Sequence, residues 1–282
     1  MVLHSLREAL SLLIRMPIIW LSGIVAGAAV GIDLYLELSG EAFFGGKILL
    51  LGLLALPFCM AGSIGAINRA EGSLEVFLEE GRKGYFRVLL PALVLLFAVI
   101  VTIFLLAVPL SIILGGNAIE AAASTALGVI FTFALFAYFT DTTAVTGGHG
   151  VFASIQQSTV FVLSHLSSTI LFYLANLAAL CALGFGGVFV WTVLLYDRLA
   201  PLAESGDLVI VNTTSAAAAQ AEFAAILGPE GIWASALVYA LIIAVFVPFA
   251  LAFKTVFYLR HAGEMEAPVQ GEYDEKGRWY KY

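Results

Sequence analysis

Four charged residues stand where charge is least expected. Asp33 and Glu37 lie four residues apart near the end of one apolar run. Asp141 closes another run, inside Thr140-Asp141-Thr142-Thr143, and Lys254 lies toward the end of a third. A charge held in hydrocarbon is costly, so it is retained only where it pairs, binds an ion or proton, or reaches the polar boundary. On a helix, Asp33 and Glu37 share a face. They could hold a cation or a proton there, or simply reach the outer interface. Lys254 can snorkel to the inner boundary or meet Asp141 at similar depth. That pair would hold a bundle together or serve a substrate headgroup.

After Asp141 comes Gly147-Gly148-His149-Gly150. A glycine-rich backbone can turn its N–H groups toward an anion, and a histidine beside it can donate, accept or carry a proton. The same residues make an ordinary turn before a helix. The segment is not a phosphate-binding loop of the Walker type, because no lysine follows the glycines. His165 reads as an interfacial histidine, and Asn176 as a residue that hydrogen-bonds a neighbouring helix. Cys59 and Cys181 sit in apolar runs and read as packing residues.

No zinc-protease His-Glu-x-x-His, Cys-x-x-Cys or Gly-x-Ser-x-Gly occurs. Tyr196-Asp197 is half of an intramembrane aspartyl protease pattern. The second half, Gly-x-Gly-Asp in another span, is missing, and Ser205-Gly206-Asp207 falls in a loop. Two aspartates must share a proton for that chemistry. The sequence therefore assigns no catalytic residue, no metal ligand and no cofactor. Asp33, Glu37, Asp141, His149 and Lys254 are the candidates for contact with a substrate or an ion.

The elements that carry these residues follow from composition. Of 282 residues, 61% are hydrophobic and 12% charged, against about 45–50% and about 25% for soluble domains. A bilayer supplies the apolar solvent that such a chain needs, so the expected fold is an all-α polytopic transmembrane bundle. A span takes about 20 apolar residues. Six stretches qualify, at about 17–38, 48–67, 88–114, 122–140, 168–196 and 232–258. The start of the chain mixes charge with apolar residues and does not read as a signal peptide. Residues 1–262 are expected to form one transmembrane domain and 263–282 a cytoplasmic tail.

Lysine and arginine set the orientation. Eleven fall on one side of the spans and two, Lys47 and Arg198, on the other. Both termini are therefore expected in the cytoplasm, in the cell membrane. The net charge of −7 includes no basic block that would mark a nucleic-acid surface. The outer loop from Asp197 to Gly231 carries a short β-branched run, Leu208 to Val211, then Asn212-Thr213-Thr214, which fits the N-glycosylation pattern, and an alanine-rich stretch of helical character.

The segments before the odd-numbered spans look alike: Ser5-Leu6-Arg7-Glu8, Ser73-Leu74-Glu75-Val76 and Ser154-Ile155-Gln156-Gln157. Each serine can cap a helix. In the first segment Leu6, Leu10, Leu13 and Ile14 share a face, which suits an interfacial helix. The pattern predicts an interfacial helix and a helical hairpin used three times, over 1–68, 69–146 and 147–262.

The third segment, Gly150-Val151-Phe152-Ala153-Ser154-Ile155-Gln156-Gln157-Ser158, carries a Ser-x-x-x-Ser spacing before an apolar span. It resembles a loose superfamily of prokaryotic six-span membrane proteins, which includes the membrane domain attached to some glycerophosphodiester phosphodiesterases. The resemblance implies membrane residence. It does not imply phosphodiesterase activity, since the catalytic barrel has no counterpart here.

Three readings of function stay open. The first is transport, or handling of lipid or a small molecule, resting on the repeat and the charged residues. The second is a non-catalytic scaffold with a protein partner held by the tail, where Tyr273, Trp279, Tyr280 and Tyr282 mix with charge. The third is an enzyme acting on lipid within the membrane through His149. Membrane lipids are expected partners in each case. Gly23, Gly27 and Gly31, and likewise Gly184, Gly186 and Gly187, would let a helix approach closely, within the monomer or in a homo-oligomer.

Overall fold

The computed structural model describes residues 2–114, 118–204, 216–263, 271–273 and 279–281, with side chains for 2–106, 108–109, 123–200 and 220–263. The chain is an α-helical bundle. Its described helices are α1 (Val2–Arg15), α2 (Trp20–Leu38), α3 (Ala42–Arg69), α4 (Leu74–Leu114), α5 (Ala118–Ala137), α6 (Thr140–Thr146), α7 (Val151–Ser164), α8 (Leu166–Leu194), α9 (Tyr196–Glu204) and α10 (Ala216–Ala262). A single 3-10 turn, Pro17–Ile19, joins α1 to α2. Six helices are long and apolar enough to cross a membrane. They fall on the six apolar stretches read from the sequence. Two short strands, β1 (Gly271–Tyr273) and β2 (Trp279–Lys281), pair antiparallel in the tail, with Glu272 opposite Tyr280.

Small residues bring the central helices together. A Cβ at Gly23 would lie 2.1 Å from the Ala244 carbonyl oxygen, and one at Gly27 2.5 Å from that of Ala240. The glycine stripe of α2 is thus used up against α10 within one chain, since only hydrogen fits at such distances. Gly184 and Gly186 of α8 meet nothing within 4 Å, while Gly187 packs against Ile242.

α10 is two helices in one. Gly228 breaks it with φ 64 and ψ 175, and Pro229 starts the second half. Glycine adopts that conformation at no steric cost, and proline is preset for the first helical turn. The alanine-rich stretch that follows α9 is helical from Ala216. The Leu208–Val211 run, Asn212 and Ser205-Gly206-Asp207 lie outside the described residues.

One end of the bundle gathers α1, the last turns of α3 and α10, the first turns of α4, and α6 and α7. It carries Arg69, which pairs with Glu79 (3.1 Å) and Glu80, and Arg260, which pairs with Glu8 of α1 at 2.6 Å. We call it the basic end. α1 is amphipathic, but the read face is split: Leu13 is buried with Val2, Ser5 and Ala9 and Leu6 is half-buried, while Leu10 and Ile14 face outward with Leu3.

The serines do not act alike. Ser73 caps α4, its Oγ accepting the Val76 N–H at 3.3 Å. Ser5 and Ser154 lie inside α1 and α7, and Ser154 donates to the Gly150 carbonyl at 2.8 Å. The cap reading fails for these two because their helices start one turn earlier than the apolar pattern.

Candidate functional site

The core of the basic end is aromatic. Phe139, Phe161, Phe172, Phe253 and Phe257 are fully buried, and Phe172 stacks on Phe257 with ring centroids 4.7 Å apart. These rings come from the α5–α6 junction, α7, α8 and α10. They exclude water from the place where those elements meet.

Inside this core, Lys254 of α10 donates to the Asp141 carboxylate of α6 at 2.5 Å, the side chains being 7% and 11% exposed. A buried charge is tolerated when it is paired and hydrogen-bonded. Asp141 meets the condition well: its other oxygen accepts the Thr142 N–H at 2.7 Å. The Lys254 Nζ also lies 5.0 Å from the centroid of the Tyr138 ring, within cation–π range. Lys254 therefore does not snorkel.

The α5–α6 break sets this geometry. Where α5 ends, its carbonyls need donors. The Tyr173 hydroxyl donates to Leu135 O at 2.6 Å and the Ser158 hydroxyl to Phe136 O at 2.7 Å. Ser158 also accepts the Phe139 N–H at 3.2 Å. Four residues earlier, the Ser154 carbonyl accepts the Thr143 hydroxyl at 3.0 Å. The Ser158 hydroxyl and the Ser154 carbonyl of α7 thus dock the broken end of α5 and the start of α6, and thereby aim Asp141 at Lys254.

The other predicted residues lie apart from this pair. Asp33 is half-buried near the opposite end, its Oδ1 2.8 Å from where a Cβ on Gly45 would be. Glu37 is exposed, and its carbonyl accepts the Gln220 side chain at 3.2 Å. His149 is half-buried, with its ring folded over Gly147, and Arg87 lies beside Gly148, whose φ is +63. Asn176 donates to the Phe172 carbonyl of its own helix at 3.0 Å, so it does not bridge helices as expected. Cys59 is buried, but Cys181 is exposed on α8.

Sequence reasoning passed over four residues. His261 is 1% exposed, its Nδ1 2.8 Å from the Phe257 carbonyl oxygen and its ring 5.4 Å from that of His165. Tyr138, Tyr173 and Ser158 were invisible because single tyrosines and serines in apolar runs carry no spacing signal. Only the Ser-x-x-x-Ser resemblance pointed at Ser158.

Among the described residues, clefts open on the bundle's flanks that are not lined by Asp33, Glu37, Asp141, His149 or Lys254. One lies between α2 and α10, around Tyr35 and Trp233. A second lies between α1, α8 and α10, around Trp20 and Phe249. A third, of about 440 Å³, lies between α5 and α8 and is walled by Phe131, Leu135, Tyr138, Ile170, Tyr173 and Leu174. Its inner wall, Tyr138, is the ring that covers Lys254. Among the described residues no group of three or more His, Cys, Asp or Glu could hold a metal ion.

Fold and site together define a polytopic α-helical protein of membrane type with a dry ion pair at one end. The family model described as "Domain of unknown function (DUF7847)" matches residues 1–261, and the chain belongs to that family. Neither the curated proteins nor the solved structures provide a match.

Proposed function

We propose that this chain is a lipid-handling membrane protein, and that its working site is the cleft between α5 and α8. One observation carries this reading. Two apolar spans diverge to leave an open, apolar cleft whose inner wall covers a buried ammonium–carboxylate pair. In a bilayer, the molecules at hand to fill a sideways opening of this kind are lipids. An ion path would need polar walls, and the walls here are aliphatic and aromatic.

The charge distribution supports a cytoplasmic placement of the basic end, with both termini inside the cell membrane. The likeness in sequence of the segments around Ser5, Ser73 and Ser154, each ahead of a pair of spans, supports an internal repeat. The likeness of the Ser154–Ser158 segment to prokaryotic membrane proteins supports residence in the membrane.

A lipid carrying a photoreactive diazirine on its chain tests the reading. Crosslinks are expected to concentrate on Phe131, Ile170 and Leu174. Labelling spread over all outward-facing helices in proportion to exposure would refute it.

A second reading, a scaffold for a partner protein, draws on the tail. The β1–β2 pairing gives that segment a defined backbone, and the dry core of the basic end offers no aqueous route. Loss of a partner on deletion of residues 264–282, with crosslinking unchanged, would favour it.

A further inference from the structure

The basic end presents two outward rows built on one pattern. On α1, Leu3, Arg7, Leu10 and Ile14 recur at three and four residues and so share a face. All four are exposed, while Val2, Ser5, Ala9 and Leu13 behind them are buried. On the first turns of α4, Leu78, Arg82, Phe86 and Leu90 stand four residues apart, and again all are exposed. In each row one guanidinium stands among large apolar side chains. The α4 row runs on into the apolar part of that helix, where Leu93 and Phe97 also face outward. Such a surface suits the layer where acyl chains meet headgroups. There an arginine lays its stem along apolar surface and keeps its head among polar groups.

Charge decides what meets the arginines. Glu8 is taken by Arg260, Glu79 and Glu80 by Arg69, Glu79 also by Lys83, and Asp141 by Lys254. Arg7, Arg15, Arg82 and Arg87 are exposed and have no ion-pair partner among the described residues. Against them stand Glu71, which accepts the Ser73 hydroxyl at 2.9 Å, and Glu75. The surplus is positive, and the forked N–H groups of a guanidinium match phosphate oxygens. The outward row of α7, Phe152, Gln156 and Val160, has a neutral residue at its centre and adds nothing to that surplus. Going beyond the α5–α8 cleft, we propose that the basic end binds acidic phospholipid. Arg7, Arg82 and Arg87 take the phosphates, and the apolar side chains beside them take the upper parts of the acyl chains. A zwitterionic headgroup offers the same phosphate but brings its own cation, which leaves the surplus uncompensated.

The test uses the full chain in nanodiscs of phosphatidylglycerol and phosphatidylcholine in equal parts, with identical acyl chains. Native mass spectrometry counts the lipids that the released protein retains. Phosphatidylglycerol should be enriched about fivefold over its share of the disc, the effect of one base at an acidic surface. The enrichment should fall as salt rises. Arg7→Gln/Arg82→Gln/Arg87→Gln, all at exposed positions, should return the ratio to that of the disc while the melting temperature stays the same. Lys47→Gln, at the opposite end, should leave the enrichment in place. Equal retention of the two lipids would overturn the inference and leave the arginines to an acidic protein surface. An enrichment that the triple variant keeps would overturn it too. So would displacement of phosphatidylglycerol by inorganic phosphate, since the ligand would then be the free anion. Crosslinking at Phe131, Ile170 and Leu174 should be the same in the triple variant, so this inference and the lipid-handling reading of the cleft fail separately.

Discussion

The two halves of α8 hold the same kind of side chain in two different solvents. Near its start, Phe172 is fully buried, pressed between Phe253 and Phe257. Near its end, Phe185 and Phe189 are 76% and 70% exposed and face outward. The first half belongs to a protein core with ring-on-ring packing, buried ion pair and satisfied helix ends. The second half leaves its apolar surface to the lipid. No residue in the most apolar stretch of α8 is buried, against 39% in α2, α3 and α10. The lesson is that hydropathy marks both halves as spans and does not tell which one carries packing energy. In lipid, burial gains little from the hydrophobic effect, so close contacts and hydrogen bonds between helices decide stability.

That contrast can be broken most forcefully at the ion pair. Asp141→Leu leaves a buried ammonium without its counter-ion, and a loss of about 3–5 kcal/mol is expected. The double variant Asp141→Leu/Lys254→Met should recover most of it, because an apolar pair suits the aromatic surroundings. Thermal unfolding in detergent would show both effects. If the single variant melted like the wild type, the pair would not be the anchor of the basic end.

The next effect compares the two halves of α8 directly. Phe172→Ala should cost about 3 kcal/mol, the usual price of a cavity in a packed core. Phe189→Ala should cost near zero, since lipid closes over the gap. Equal losses would mean that the outward half of α8 is covered by protein, as in a homo-oligomer.

The smallest effect is expected at the rim. Glu8→Gln breaks the ion pair with Arg260, whose partners are 46% and 29% exposed. It should cost under about 1 kcal/mol and lose even that in high salt. A larger loss would show that this contact, and not apolar packing, docks α1 on α10.

The candidate site was legible only in part. The suspicion that Asp141 and Lys254 meet came from their shared depth, and the two residues are 113 positions apart. Asp33 and Glu37 gave an equally clear signal in the sequence. The structure gives them different surroundings on α2, Asp33 half-buried beside Gly45 and Glu37 exposed. Helical spacing fixes a shared face but not what that face meets. His149 looked like part of an anion cradle, yet its ring folds back over its own loop.

By itself the sequence determined the spans, because a bilayer asks of a helix only length and apolar content. It also determined the amphipathic character of α1, because a 3.6-residue period sorts its leucines from its charges. Tertiary structure alone decided that α5 breaks at Tyr138-Phe139, that Ser158 and Tyr173 satisfy the broken end, and that Tyr138 stands between a cleft and a buried ammonium. Each of these depends on hydrogen bonds or ring contacts between residues far apart in the chain. In a uniformly apolar sequence the local pattern is the same whether a face meets lipid or another helix.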